Sequence, residues 1–119
     1  MKFRFSMWTA GDKRLLTSVL AALPSGEHWR MLWFDGVVKE ACWIPALDSE
    51  INVLIADQEL RDFAATLLDL NEIVLRGAPA GMPIELACQD SNTWVVSCAS
   101  EAAVVVGSWL LAFEAEAEA

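Results

Sequence analysis

The sequence predicts an α+β domain, an antiparallel sheet packed against helices in the order α-β-β-β-α-β-β-α, with a strand ahead of the first helix left open. Two stretches repeat apolar residues at helical spacing, near residues 12–24 and 57–70. The strand-like stretches come in runs of three and two, with gaps short enough to favour an antiparallel meander. The chain has 119 residues, so residues 1–119 are read as a single domain.

Residues 2–8, KFRFSMW, alternate as a strand does and put Phe3, Phe5 and Met7 on one side. DKRLLTSVLAALP reads as the first helix, with Leu15, Leu16, Val19, Leu20 and Leu23 on one stripe, Asp12 as its cap and Pro24 as its stop. Three strands follow: HWRMLWFD, then VVKEACWIP beyond a turn at Gly36, then INVLIA. Asp57 is read as the cap of the second helix, QELRDFAATLLDL, whose Leu60, Phe63, Ala64, Leu67 and Leu68 form one apolar stripe while Arg61, Asp62, Thr66 and Asp69 face away. RGAPAGMP, with two glycines and two prolines, interrupts regular structure. PIELACQD and TWVVSCA form a hairpin whose turn places Asn92 in the left-handed region. Residues 100–119 are read as a last helix, although Val104, Val105 and Val106 favour strand.

Apolar residues make up 55% of the chain, so a well-filled core is expected rather than disorder. Seventeen acids against eight bases give a net charge of −9, which argues against nucleic acid and against an anionic membrane surface. Arg76 is the last basic residue, so residues 77–119 carry Glu85, Asp90, Glu101, Glu114, Glu116 and Glu118 with nothing to balance them. Such a bias serves solubility, or it attracts a basic partner and repels others. Cys42, Cys88 and Cys98 lack CxxC spacing and read as reduced core residues of a cytoplasmic protein. The N-terminus lacks the apolar stretch of a signal peptide, and the longest largely apolar run, AAVVVGSWLLAF, is too short to cross a bilayer.

Chemistry finds little footing. His28 is the single histidine and reads as a solvent-side or edge-strand residue, and any multi-histidine metal site is excluded by count. Neither usual phosphate-binding glycine motif occurs, and Pro79 and Pro83 remove backbone donors from the one glycine-rich loop. Asp57, Glu59 and Asp62 are explained by helix capping and a solvated face. No catalytic residue, metal or cofactor is assigned, and a binding function is expected.

Binding is suggested by surplus apolar surface. With strict alternation, Leu32 and Phe34 fall on one face of HWRMLWFD, and Trp29, Met31 and Trp33 on the other. A tryptophan buries about 150–250 Å², so leaving two half-exposed forgoes about 4–6 kcal/mol at most. Either residues 2–8 or the last helix covers that second face, or a partner does. The second helix raises the same question, since its stripe can pack on the sheet or meet a second copy across a two-fold axis.

With LLTSVLAAL as first helix, then MLWFDG, INVLIAD, the helix LRDFAATLLDLN, a glycine-rich loop, PIELACQD and TWVVS, the chain resembles the class I type III secretion chaperones of the Tir-chaperone family over about residues 12–113. The resemblance lies in order, length and charge. It implies a homodimer with Leu60, Phe63, Leu67, Leu68, Ile84 and Leu86 at its interface. It also implies an extended N-terminal segment of a secreted effector docked on patches that draw on Trp29, Met31, Trp33 and Trp43. The MKFRFSMW strand, the six tryptophans and the VVV run depart from the family pattern. The alternative is an immunity protein, also small and acidic, that neutralises a toxin by covering a basic active site.

Overall fold

The computed structural model describes residues 1–9, 11–39 and 48–118. Strand β1 (Lys2–Ser6) is followed by the short hairpin strands β2 (Trp8–Thr9) and β3 (Asp12–Lys13), helix α1 (Leu16–Ala22), and strands β4 (His28–Val38) and β5 (Asp48–Ala56). Helix α2 (Asp57–Ala64), strands β6 (Leu67–Gly77), β7 (Ile84–Gln89) and β8 (Thr93–Cys98), helix α3 (Ala103–Trp109) and strand β9 (Glu116–Glu118) complete the order. Among the described residues the main sheet has seven strands in the order β5-β4-β6-β7-β8-β1-β9, and every pairing is antiparallel. The α+β class holds, and the N-terminal segment joins the sheet: Phe3, Phe5 and Met7 are all buried.

The register separates two faces. Phe3 pairs with Val96, Val96 with Leu86, Leu86 with Leu75 and Leu75 with Met31, and all of these are buried. Helices α1 and α2 supply Leu16, Val19, Leu20, Leu60 and Phe63 to the same core. Helix α3 lies over β1, where Gly107 leaves room for the Phe3 ring. The helices thus cover one side of the sheet.

Several elements differ from the sequence expectations. Alternation in β4 breaks at a bulge between Met31 and Trp33, so Trp29, Met31 and Phe34 share the core face and Trp33 turns outward. Gly36 makes no turn: β4 runs through it to Val38, and a Cβ there would lie 2.7 Å from the Asp69 carbonyl on β6, so glycine allows that close pairing. The rest of the expected second strand, with Cys42 and Trp43, lies outside the described residues.

The second helix stops at Ala64, and Leu67–Gly77 form a strand between β4 and β7. Leu67, Leu70 and Ile73 recur every three residues, which imitates a helix, because two irregularities in the β4–β6 register insert extra residues. The last helix is likewise short. Glu114, with φ 55°, turns the chain so that Glu116–Glu118 pair with β1, and strand pairing overrides the helix preference of alanine and glutamate.

Caps and turns also shift. Helix α1 starts at Leu16 and α2 at Asp57, and neither has a side-chain cap, so Asp12 and Asp57 are not caps. Pro24 does follow directly on the end of α1. In the β7–β8 turn, Asp90 and Ser91 rather than Asn92 take positive φ, the pair that a tight hairpin with primed geometry requires.

Candidate partner-binding surfaces

The expected dimer residues lie inside the subunit. Leu60, Phe63, Leu67, Ile84 and Leu86 are all buried, packed under the sheet or within it, and Leu68 alone of the set is exposed. The α2 stripe has therefore found apolar cover in the same chain. Of the expected partner-binding residues, Trp29 and Met31 are likewise core, and Trp43 lies outside the described residues. Trp33 alone of them is described on the outer face.

Trp29 is fastened by chemistry that the sequence pattern concealed. Its Nε1 donates to Asp57 Oδ1 at 2.9 Å, and Arg61 Nε donates to Asp57 Oδ2 at 2.9 Å. Arg61 does not face away: it also donates to the carbonyls of Leu20, Leu23 and Pro24, which tie off the C-terminal end of α1. Burial pushes the Asp57 carboxyl up, but the bonds from Arg61 and Trp29 and the Arg61 charge outweigh it and hold the group below its ordinary value. This is a structural clamp between α1, α2 and β4. A helical i,i+4 spacing of Asp57 and Arg61 was the only sequence sign of it.

Across the outer face, register lines up Trp33 with Val74, Val74 with Ala87, and Ala87 with Val95. Trp33, Val74 and Val95 are half-buried, and the row is flanked on one side by Arg30, Arg76 and Glu85. Leu32, Trp33, Glu72, Val74 and Gln89 line a shallow groove there. The Trp33 Nε1 is buried and has no hydrogen-bond partner among the described residues. Burying a donor unpaired is costly.

The sheet has two ends. At one, β9 covers only Lys2–Arg4 of β1. At the other, β5 pairs with β4 and, among the described residues, with nothing on its far side. This edge is nine residues long, and Leu54 on it is 58% exposed. No lysine or proline occurs in DSEINVLIA, so the edge lacks the residues that usually block further pairing.

Reactive chemistry is no better supported by geometry than by sequence. Burial pushes the Cys88 thiol up to about 12, the reverse of what a nucleophile needs. His28 is exposed at the start of β4. Among the described residues, no group of three or more His, Cys, Asp or Glu is arranged to hold a metal, and no helix is long and apolar enough to cross a membrane. Compared with protein-family models, curated proteins and solved structures, the chain matches none of them.

Proposed function

We propose that this chain is a non-enzymatic binding protein of the cytoplasm that holds an extended segment of a partner protein by strand addition to β5, in the manner of a chaperone for a secreted effector. The observation that carries this reading is the nine-residue edge, unpaired on its far side among the described residues, with its exposed Leu54. A segment added there gains main-chain hydrogen bonds worth about 0.5–1.5 kcal/mol each, and pockets for alternate side chains supply selectivity. The neighbouring outer face offers apolar surface from the half-buried Trp33.

The neutralising reading calls for one concentrated acidic surface. Of the acids beyond Arg76, Glu85 is paired with Arg76 and Glu118 with Arg4, Asp90 sits in the β7–β8 turn, and Glu101 and Glu114 flank α3. So small an acidic cluster is less than a basic active site calls for, which favours segment binding. A homodimer belongs to the same proposal only through a surface other than α2, and the β5 edge is one on which two copies can pair about a two-fold axis.

The experiment is capture from the native cell with the bound region mapped by cross-linking, alongside hydrogen exchange of residues 52–56 in the captured complex. Slowed exchange on β5 with an extended partner segment, lost in Leu54→Lys, is the expected result. Capture of a folded domain with β5 exchange unchanged would support neutralisation. A dimer that Leu54→Lys dissolves, with no heterologous partner held, would put a second copy on the edge.

A further inference from the structure

Away from β5, at the opposite end of the sheet, a second surface is built differently. Val104 is 87% exposed and Leu111 76% exposed, the two most exposed large apolar side chains of the described residues. They flank a groove whose floor is the Phe3 ring and bare Gly107, and whose far wall is Glu114. A Cβ at Gly107 would lie 3.2 Å from the Phe3 ring, so the glycine is what keeps this floor low. Large exposed apolar side chains beside a groove are a mark of interaction sites rather than of ordinary surface.

Charge selects the occupant. Residues 102–113 carry no charge, while Glu101 precedes them and Glu114 follows. Glu114 on the groove's wall and Glu101 just ahead of α3 are exposed, and neither has an ion-pair partner among the described residues. A second copy would bring the same acids to the same rim, an arrangement that like-charge repulsion penalises. An acidic or neutral segment would leave the rim uncompensated.

We propose that the groove between α3 and β1 docks an amphipathic segment of a partner whose apolar side chains are flanked by lysine or arginine. Its apolar side chains cover Val104, Gly107 and Leu111, and its cations meet Glu101 and Glu114. This surface is distinct from the β5 edge, so it stands or falls independently of strand addition there.

The test is calorimetric titration of the full chain, at physiological salt, with a synthetic helical peptide of leucine and lysine, and with its counterpart in which glutamate replaces lysine. The lysine peptide binds the wild-type chain and the glutamate peptide does not. Val104→Ser with Leu111→Ser weakens binding at least tenfold while the thermal midpoint stays put, because both side chains already face water. Glu114→Lys weakens it as well, and serves as the working variant if the double substitution fails to fold. Leu54→Lys leaves this affinity unchanged, which separates the groove from the β5 edge. Absence of binding overturns the proposal. So does binding that neither groove variant weakens, since the peptide would then be answering to net charge alone. A wild-type dimer that the double variant dissociates overturns it too, by placing a second copy in the groove.

Discussion

Trp29 and Asp57 meet inside the core, the indole Nε1 donating to the carboxylate at 2.9 Å. Their partnership with Arg61 joins β4 to the start of α2 and to the C-terminal end of α1. Asp57 is the one buried charged residue among those described, at 8% exposure. Asp57→Ala strands the Arg61 guanidinium and the Trp29 indole together, and is expected to cost about 2–4 kcal/mol in urea unfolding. Arg61→Met keeps the bulk and loses the bonds, so it should cost nearly as much.

The same group makes stability depend on acid. Asp57 titrates below its ordinary value of 3.8 in the folded chain, and Asp69 does too, held down by the Lys13 ammonium and the Leu70 backbone N–H. A carboxyl with a depressed folded value contributes stability that is present above its unfolded value and is lost as pH falls through the folded one. Unfolding free energy should therefore fall steeply as pH drops below about 4. Asp57→Asn flattens part of that fall, and unfolding curves across acid pH measure the difference.

Gly77 faces Trp29 across the β4–β6 pair, and a Cβ at Gly77 would sit 2.5 Å from the indole ring. Gly77→Ala must displace the ring, strain the strand and break the bond to Asp57. A loss of about 1–3 kcal/mol is expected from overpacking. Gly81→Ala is the comparison: open space surrounds it, and its φ of 79° leaves only backbone strain. Near-ultraviolet circular dichroism, which reports the Trp29 environment, should change in the first variant and not in the second.

The bulge in β4 separates two tryptophans that strict alternation puts together. Trp29→Ala removes a fully buried ring and should cost about 3–5 kcal/mol. Trp33→Ala should cost much less in thermal unfolding, since the ring lies half-buried on the outer face, and should weaken partner capture. Loss of folding in both variants would make the outer face part of the core. Phe63→Glu with Leu67→Glu is expected to unfold the chain rather than release soluble monomers, because both residues are buried within it.

The sequence by itself determined the α+β class, the apolar Leu60, Phe63 and Ala64 of α2, the stop at Pro24, and the β7–β8 hairpin, and it showed the alternation of Phe3, Phe5 and Met7 without deciding that they join the sheet. Each of these rests on local periodicity or on a residue whose backbone restricts itself, which is information carried within a few positions. The tertiary structure decided the rest. A single bulge reversed the faces of β4 beyond Met31, and two further irregularities let β6 imitate a helix. Partners far apart along the chain set those bulges, and no window of neighbours contains them. Pairing with β1 made a strand of a terminal Glu-Ala repeat that prefers helix. Packing of α2 on its own sheet buried Leu60 and Phe63, while Leu54 on the β5 edge, and Val104 and Leu111 at the other end, are among the large apolar side chains still facing water. The composition announced more apolar surface than a core of this size needs; only the assembled sheet settled which side chains would be left outside.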